Sequence, residues 1–182
     1  IDPVLCFYHQ GGYYPYAGRD DLMSQLPHLK KKFSRYVTYA NATIEDIFPA
    51  AQLASAAKLE AAYLANTVWM QEDGKFKSQS FENSAQTAPV YAVLTDDFNG
   101  DQQTDILMVG NYSGNHPETG VYDAGNGVLL TSNGGQFNFM ANRIHGLWAS
   151  QEARDLASIK LAGGGAGIIV ANNNGTVQLF AK

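Results

Sequence analysis

The chain has 182 residues, 45% of them hydrophobic and 16% charged, with a formal net charge of -5. That length and polarity suit a globular chain with a real core and exclude a disordered polymer. The acidic balance argues against a nucleic-acid binder, which would carry a basic footprint, and a single cysteine, Cys6, leaves no internal disulfide and no cysteine-built zinc site. No stretch is long and apolar enough to span a membrane.

The opening, "IDPVLCFYHQ", has neither an initiator methionine nor a signal-peptide pattern, and it reads as the interior of a longer protein. Residues 7–20, "FYHQGGYYPYAGRD", concentrate Phe7, Tyr8, Tyr13, Tyr14 and Tyr16. Exposed aromatic rings can stack on sugars or anchor a partner; packing of a helical segment is the plainer expectation. Between residues 20 and 56 the apolar residues Leu22, Leu26, Leu29 and Phe33 recur at helical spacing, followed by Tyr36, Tyr39 and Ala40. Pro27 suits the first turn of a helix. In "NATIED", Asn41 or Thr43 can cap a helix whose first turn is acidic. Two or three short helices are predicted here, with Lys30, Lys31 and Lys32 as a solvated helix face.

From Lys58 onward the pattern changes to short β-rich runs separated by glycine turns. Two or three strands are predicted in residues 58–81 around a turn at Asp73-Gly74. Further strands follow at "PVYAVLTDD" and "DILMVGN", then a hairpin at "GVLLTSNGGQFNFM" and three strands in residues 157–182. These strands recur. Residues 105–111 align with 167–173, 91–97 with 157–163, and 68–76 with 128–137, a period of roughly sixty residues. Repeats of about four strands predict propeller blades, with an ordinary β-sandwich as the alternative. The chain thus reads as an aromatic and helical segment, 1–57, followed by two to three blades, 58–182. A propeller needs at least about four blades to close, so the chain is expected to form a partial one.

The chemistry concentrates in "TDDFNGDQQTDILMVGNY", residues 95–112. Asp97, Asn99, Asp101, Gln103 and Asp105 fall at alternate positions, with Gln103 offering its backbone carbonyl. Oxygens so spaced suit calcium, a hard cation that takes about six to eight of them. Carboxylates held close also repel without a cation. An EF-hand is excluded, because Met108 stands where its bidentate glutamate belongs and a strand follows the loop where a helix should. Magnesium, which keeps few protein ligands, suits the loop less well. The corresponding "LAGGGAG", residues 161–167, has no carboxylate and is expected to be metal-free.

"DFNGDQQTDILMVGN" resembles the FG-GAP/VCBS repeat of integrin-α-like β-propellers, whose loop runs Asp-x-Asn-x-Asp-Gly-x-x-Asp between two strands of one blade. Together with "GRDDLMSQLPHLKKKFSRYVTYANATIEDIF" and "GNGVLLTSNGGQF", it is similar to the C-terminal part of bacterial VCBS-repeat proteins of the ASPIC/UnbV-associated kind. The resemblance implies a mainly β, partial propeller with a short N-terminal helical segment. It also implies Ca2+ held by Asp97, Asn99, Asp101, Gln103 and Asp105, an extracellular or cell-surface location, and the rest of a parent propeller as partner. Gln102 departs from the pattern, which has glycine there. If a positive φ is required, glutamine costs about 1 kcal/mol unless Gly100 absorbs the bend.

Elsewhere the chemistry is sparse. His9, His28, His116 and His145 lack metal-ligand spacing, and His116 and Glu118 sit in a polar loop that could line a ligand surface, a plain connection between blades being the plainer expectation. "GGGAG" lacks the setting of a phosphate loop. Three stretches, at Asn41, Asn111 and Asn174, fit the glycosylation pattern, which is common by chance. No serine sits in a nucleophile elbow, and Cys6 has no catalytic partner. The expectation is a calcium-stabilised, non-catalytic module that binds a protein or carbohydrate. The alternatives are part of a polysaccharide-processing enzyme or a structural segment that completes a larger propeller.

Overall fold

The computed structural model describes residues 3–181. They divide into two compact units, one ending at Ala61 and the other beginning at Ala62.

The first unit opens with a hairpin absent from the sequence reading: β1 (Cys6–His9) pairs with β2 (Gly12–Pro15). Its two-residue turn, Gln10-Gly11, has φ of 45° and 89°, the left-handed pair that matches strand twist. The aromatic run supplies the cross-strand contacts, with Tyr8 opposite Tyr13 and their rings 5.2 Å apart. Four short helices follow: α1 (Arg19–Gln25), α2 (Tyr36–Ala40), α3 (Ile44–Ile47) and α4 (Ala50–Ala54). A 3-10 turn, Pro27–Lys31, opens on its proline as expected. Of the two cap candidates, Thr43 takes the role. Its hydroxyl accepts from the Asp46 amide while Asp46 accepts from the Thr43 amide, a reciprocal box. Leu22, Met23, Leu29, Phe33, Tyr39 and Ile47 form the core, and Lys30, Lys31 and Lys32 are exposed.

The second unit is β-rich. Residues 58–66, part of the region predicted to hold strands, contain no strand; Leu59 and Leu64 there are exposed and have no neighbouring strand to alternate against. β3 (Thr67–Glu72) and β4 (Lys75–Ser80) form a hairpin around the predicted Asp73-Gly74 turn. β5 (Val90–Asp96), β6 (Asp105–Gly110), β7 (Val128–Asn133) and β8 (Gln136–Met140) make a four-stranded antiparallel sheet in chain order. A single helical turn, α5 (Asn142–His145), leads on to β9 (Ala153–Lys160), β10 (Ala166–Asn172) and β11 (Gln178–Ala181), a three-stranded sheet. The described residues are therefore mainly β, in small antiparallel sheets none of which closes on itself.

β9, β10 and β11 pair in the order of β5, β6 and β7. Among the described residues the sheets of this unit have two, four and three strands, where about four each were predicted. The registers match Leu94 to Ala157, three residues away from the predicted alignment of 91–97 with 157–163, because strand pairing and not residue likeness sets the register. The four-stranded sheet is the middle layer, and every residue of β6 is buried. Alternation explains this. Ile106 and Met108 join Val128 and Leu130 in a cluster that reaches Val68 of β3 and Phe81. Leu107, Val109 and Leu129 point the other way and pack with Leu156, Ile168 and Val170 of the next sheet. At the end of β6 the chain passes so close to Pro89 that a Cβ on Gly110 would lie 1.6 Å from its carbonyl oxygen.

Candidate functional site

The predicted metal loop lies between β5 and β6, and its side chains fold onto their own backbone. The Asp97 carboxylate accepts from the amides of Gly100 (2.6 Å), Asp101 (3.1 Å) and Gln102 (2.8 Å). Asn99 Oδ1 accepts from the Asp101 amide at 3.0 Å, and its side-chain nitrogen donates to Asp101 Oδ2 at 2.9 Å. Asp101 Oδ1 accepts from the Gln103 amide at 2.8 Å. The turn is tight because Gly100 and Gln102 both have positive φ, 84° and 67°. Gly100 does not absorb the whole bend, so Gln102 carries the strain expected of it, worth about 1 kcal/mol.

Asp105, the first residue of β6, is 0% exposed. One oxygen accepts from the Phe98 amide at 2.9 Å and the other from the Ser132 amide on β7, also at 2.9 Å. It thus ties the loop to two strands. The Gln103 side chain adds another link, accepting from the Gly134 amide in the β7–β8 turn at 3.0 Å. The five predicted ligands occupy one loop and use oxygen donors alone, the hard-donor chemistry that calcium favours. Among the described residues, no three His, Cys, Asp or Glu side chains form a group that could hold a metal ion. Asp97, Asp101 and Asp105 instead accept backbone N–H groups.

A second polar centre, missed in the sequence reading, joins the middle sheet to the β9–β11 sheet. Asn111 is 2% exposed, with φ of 82°. Its side-chain nitrogen donates to the carbonyls of Gly125, Ser150 and Gln151, and its oxygen accepts from the Gly125 amide. Glu152 accepts from the Asn173 side chain (2.7 Å), from the Ser113 amide (2.6 Å) and hydroxyl (3.0 Å), and from Arg154 (2.9 Å). These donors, that of Asn173 foremost, hold its carboxyl at about 2. Arg154 also lies over the Tyr91 ring, 4.0 Å from its centroid. The available signals were an asparagine directly after the predicted strand "DILMVG" and the oppositely charged Glu152 and Arg154 two residues apart; neither is specific in one sequence. This centre is a joint whose hydrogen bonds fasten segments to one another, and Arg154 already occupies the aromatic face.

The remaining candidates do not assemble. His116 begins a 3-10 turn in an exposed loop, and the Glu118 side chain lies outside the described residues. His145 is half-buried at the end of α5, and burial pushes its imidazole below the usual value. Burial, with Glu45 nearby, raises the Cys6 thiol. A raised thiol is a poor nucleophile. Of the glycosylation-pattern asparagines, Asn41 and Asn174 are exposed, whereas Asn111 is enclosed by its own hydrogen bonds. No family model matches the chain, and neither curated proteins nor solved structures give a match.

Proposed function

We propose that this chain is a non-catalytic binding module of FG-GAP/VCBS type, a partial propeller in which the loop between β5 and β6 is a calcium clamp. The observation that carries the reading is the loop itself. Asp97, Asn99 and Asp101 are gathered on one turn held by positive φ at Gly100 and Gln102, and the turn ends on a buried Asp105. An ionised carboxylate has about four acceptor sites, so the two amides on Asp105 leave it further capacity. Asp97, Asn99, Asp101, the Gln103 carbonyl and Asp105 would hold the ion. Calcium there would supply charge compensation and a clamp between β5, β6 and β7. The module acts outside the cell or at its surface on a protein or carbohydrate ligand, with further propeller sheets as its structural partners.

Thermal unfolding with excess calcium and with chelator tests the metal part. The melting temperature rises with calcium, since binding to the folded state alone adds RT ln(1 + [Ca]/Kd) to stability. Asp101→Ala removes the response while the far-UV spectrum stays that of a β protein. Equal melting temperatures in calcium and chelator would remove the ion from the account. A glycan array and a pull-down, each run with and without chelator, address the ligand.

A further inference from the structure

Within the second unit the same hairpin occurs twice. Gln71 faces Phe76 across β3–β4 as Ser132 faces Phe137 across β7–β8, and Trp69 faces Ser78 as Leu130 faces Phe139. Trp69 therefore holds the position of Leu130, and Phe76 that of Phe137. The surroundings differ. Leu130 is 0% exposed, and Phe137 lies edge-on to Phe81 with ring centroids 6.3 Å apart, on the face turned toward β3. Trp69 and Phe76 are 50% and 67% exposed.

The opposite end shows the same relation. Leu94, Leu107 and Leu129 form a row across β5, β6 and β7, and they pack with the core shared with β9 and β10. Ala157, Ile169 and Leu179 form the matching row across β9, β10 and β11. Leu129 is 4% exposed and Leu179 is 57% exposed. Inside the unit the Leu94–Leu107–Leu129 row meets Leu156, Ile168 and Val170 of the next sheet, which lie on the side of that sheet opposite Ala157 and Ile169. The two end faces are the same two halves of that contact, separated.

We propose that the Leu179 face of one copy docks on the Trp69 face of a second copy, head to tail. The contact continues the sheet-on-sheet interface between the middle sheet and the β9–β11 sheet, and on the other side of the middle sheet Val68 of β3 already reaches the Leu130 cluster. At the Trp69 face Thr67, Gln71 and Ser78 accompany Trp69 and Phe76, and the Tyr63 ring lies edge-on to Trp69 with centroids 5.6 Å apart. At the Leu179 face Ala157 and Ile169 accompany Leu179, and the one charge, Asp155, lies at the edge opposite Ala171. Charge depletion of this sort marks the core of a protein interface. Because the two surfaces are different, the association is heterologous, and copies add until the arc closes or continue as a filament. The inference does not depend on the calcium loop.

Sedimentation velocity across a wide concentration range tests it, with two double variants, Trp69→Lys/Phe76→Lys and Ala157→Lys/Leu179→Lys. The wild type forms dimers or larger species as concentration rises. Each variant alone stays a monomer, and an equimolar mixture gives dimers and nothing larger, because one intact face remains on each partner. A monomeric wild type, self-association by either variant alone, or failure of the mixture to pair would overturn the proposal. If a variant loses its far-UV spectrum, Trp69 emission in a Trp148→Phe background replaces it. A blue shift that grows with concentration supports docking, and unchanged emission refutes it.

Discussion

A carboxylate withdrawn from water is stable only through what donates to it, and Asp105 shows the consequence. It has no exposed surface, and its two oxygens bind amides of Phe98 and Ser132. Asp105→Ala leaves both amides without their acceptor and should cost about 3 kcal/mol, read from the urea midpoint. Glu152 predicts a pH dependence. Its folded pKa of about 2 lies below the ordinary 4.5, so the folded state binds the proton less readily than the unfolded one. Its stabilisation is complete above about 4.5 and is lost as pH falls toward about 2. Glu152→Gln, examined by denaturant unfolding through that window, should have a flatter acid limb than the wild type. His145 acts in the same direction at higher pH. Its imidazole is held below 6.5, so acidification through that value favours the unfolded state.

At the level of elements, β6 explains why the middle sheet holds its neighbours. A strand covered on both sides has two apolar faces, and its sequence reads as one unbroken apolar run, "ILMV". Leu130 on β7 completes one of those faces at 0% exposure. Leu130→Ala should destabilise the second unit by about 2–5 kcal/mol, through lost transfer free energy and the cavity left behind. Chemical denaturation followed by far-UV circular dichroism measures it, with Thr131→Ala, on the half-exposed neighbouring position, as the control.

For the whole molecule, the chain between the units is the exposed element. Residues 55–66 contain no helix or strand, and Leu59, Tyr63 and Leu64 are 95%, 73% and 87% exposed. Exposed apolar residues in chain without ladder hydrogen bonds are favoured protease sites. Brief chymotrypsin treatment under native conditions should cut first at Tyr63 or Leu64 and leave the β-rich unit whole, as intact-mass measurement would show. Initial cleavage within β5 to β8 would contradict this division.

Much of this was legible because it is local. Short β-rich runs and glycine turns place β3 to β11 nearly where they occur, and the acidic turn after "NAT" marks a helix start for which Thr43 is the cap. The loop's residues were likewise visible, because oxygens at alternate positions are a pattern within nine residues of chain. The β1–β2 hairpin was not legible, since its aromatic run fits a helix-packing surface as well as a pair of strands. Tertiary structure alone decided that Asp105 would be buried beneath Ser132, that Asn111 would join segments some forty residues apart, and that the Leu130 and Trp69 positions would differ in exposure. Those outcomes depend on which sheet lies against which. Burial is a property of neighbours, and a linear pattern fixes a side chain's face without saying whether anything covers it.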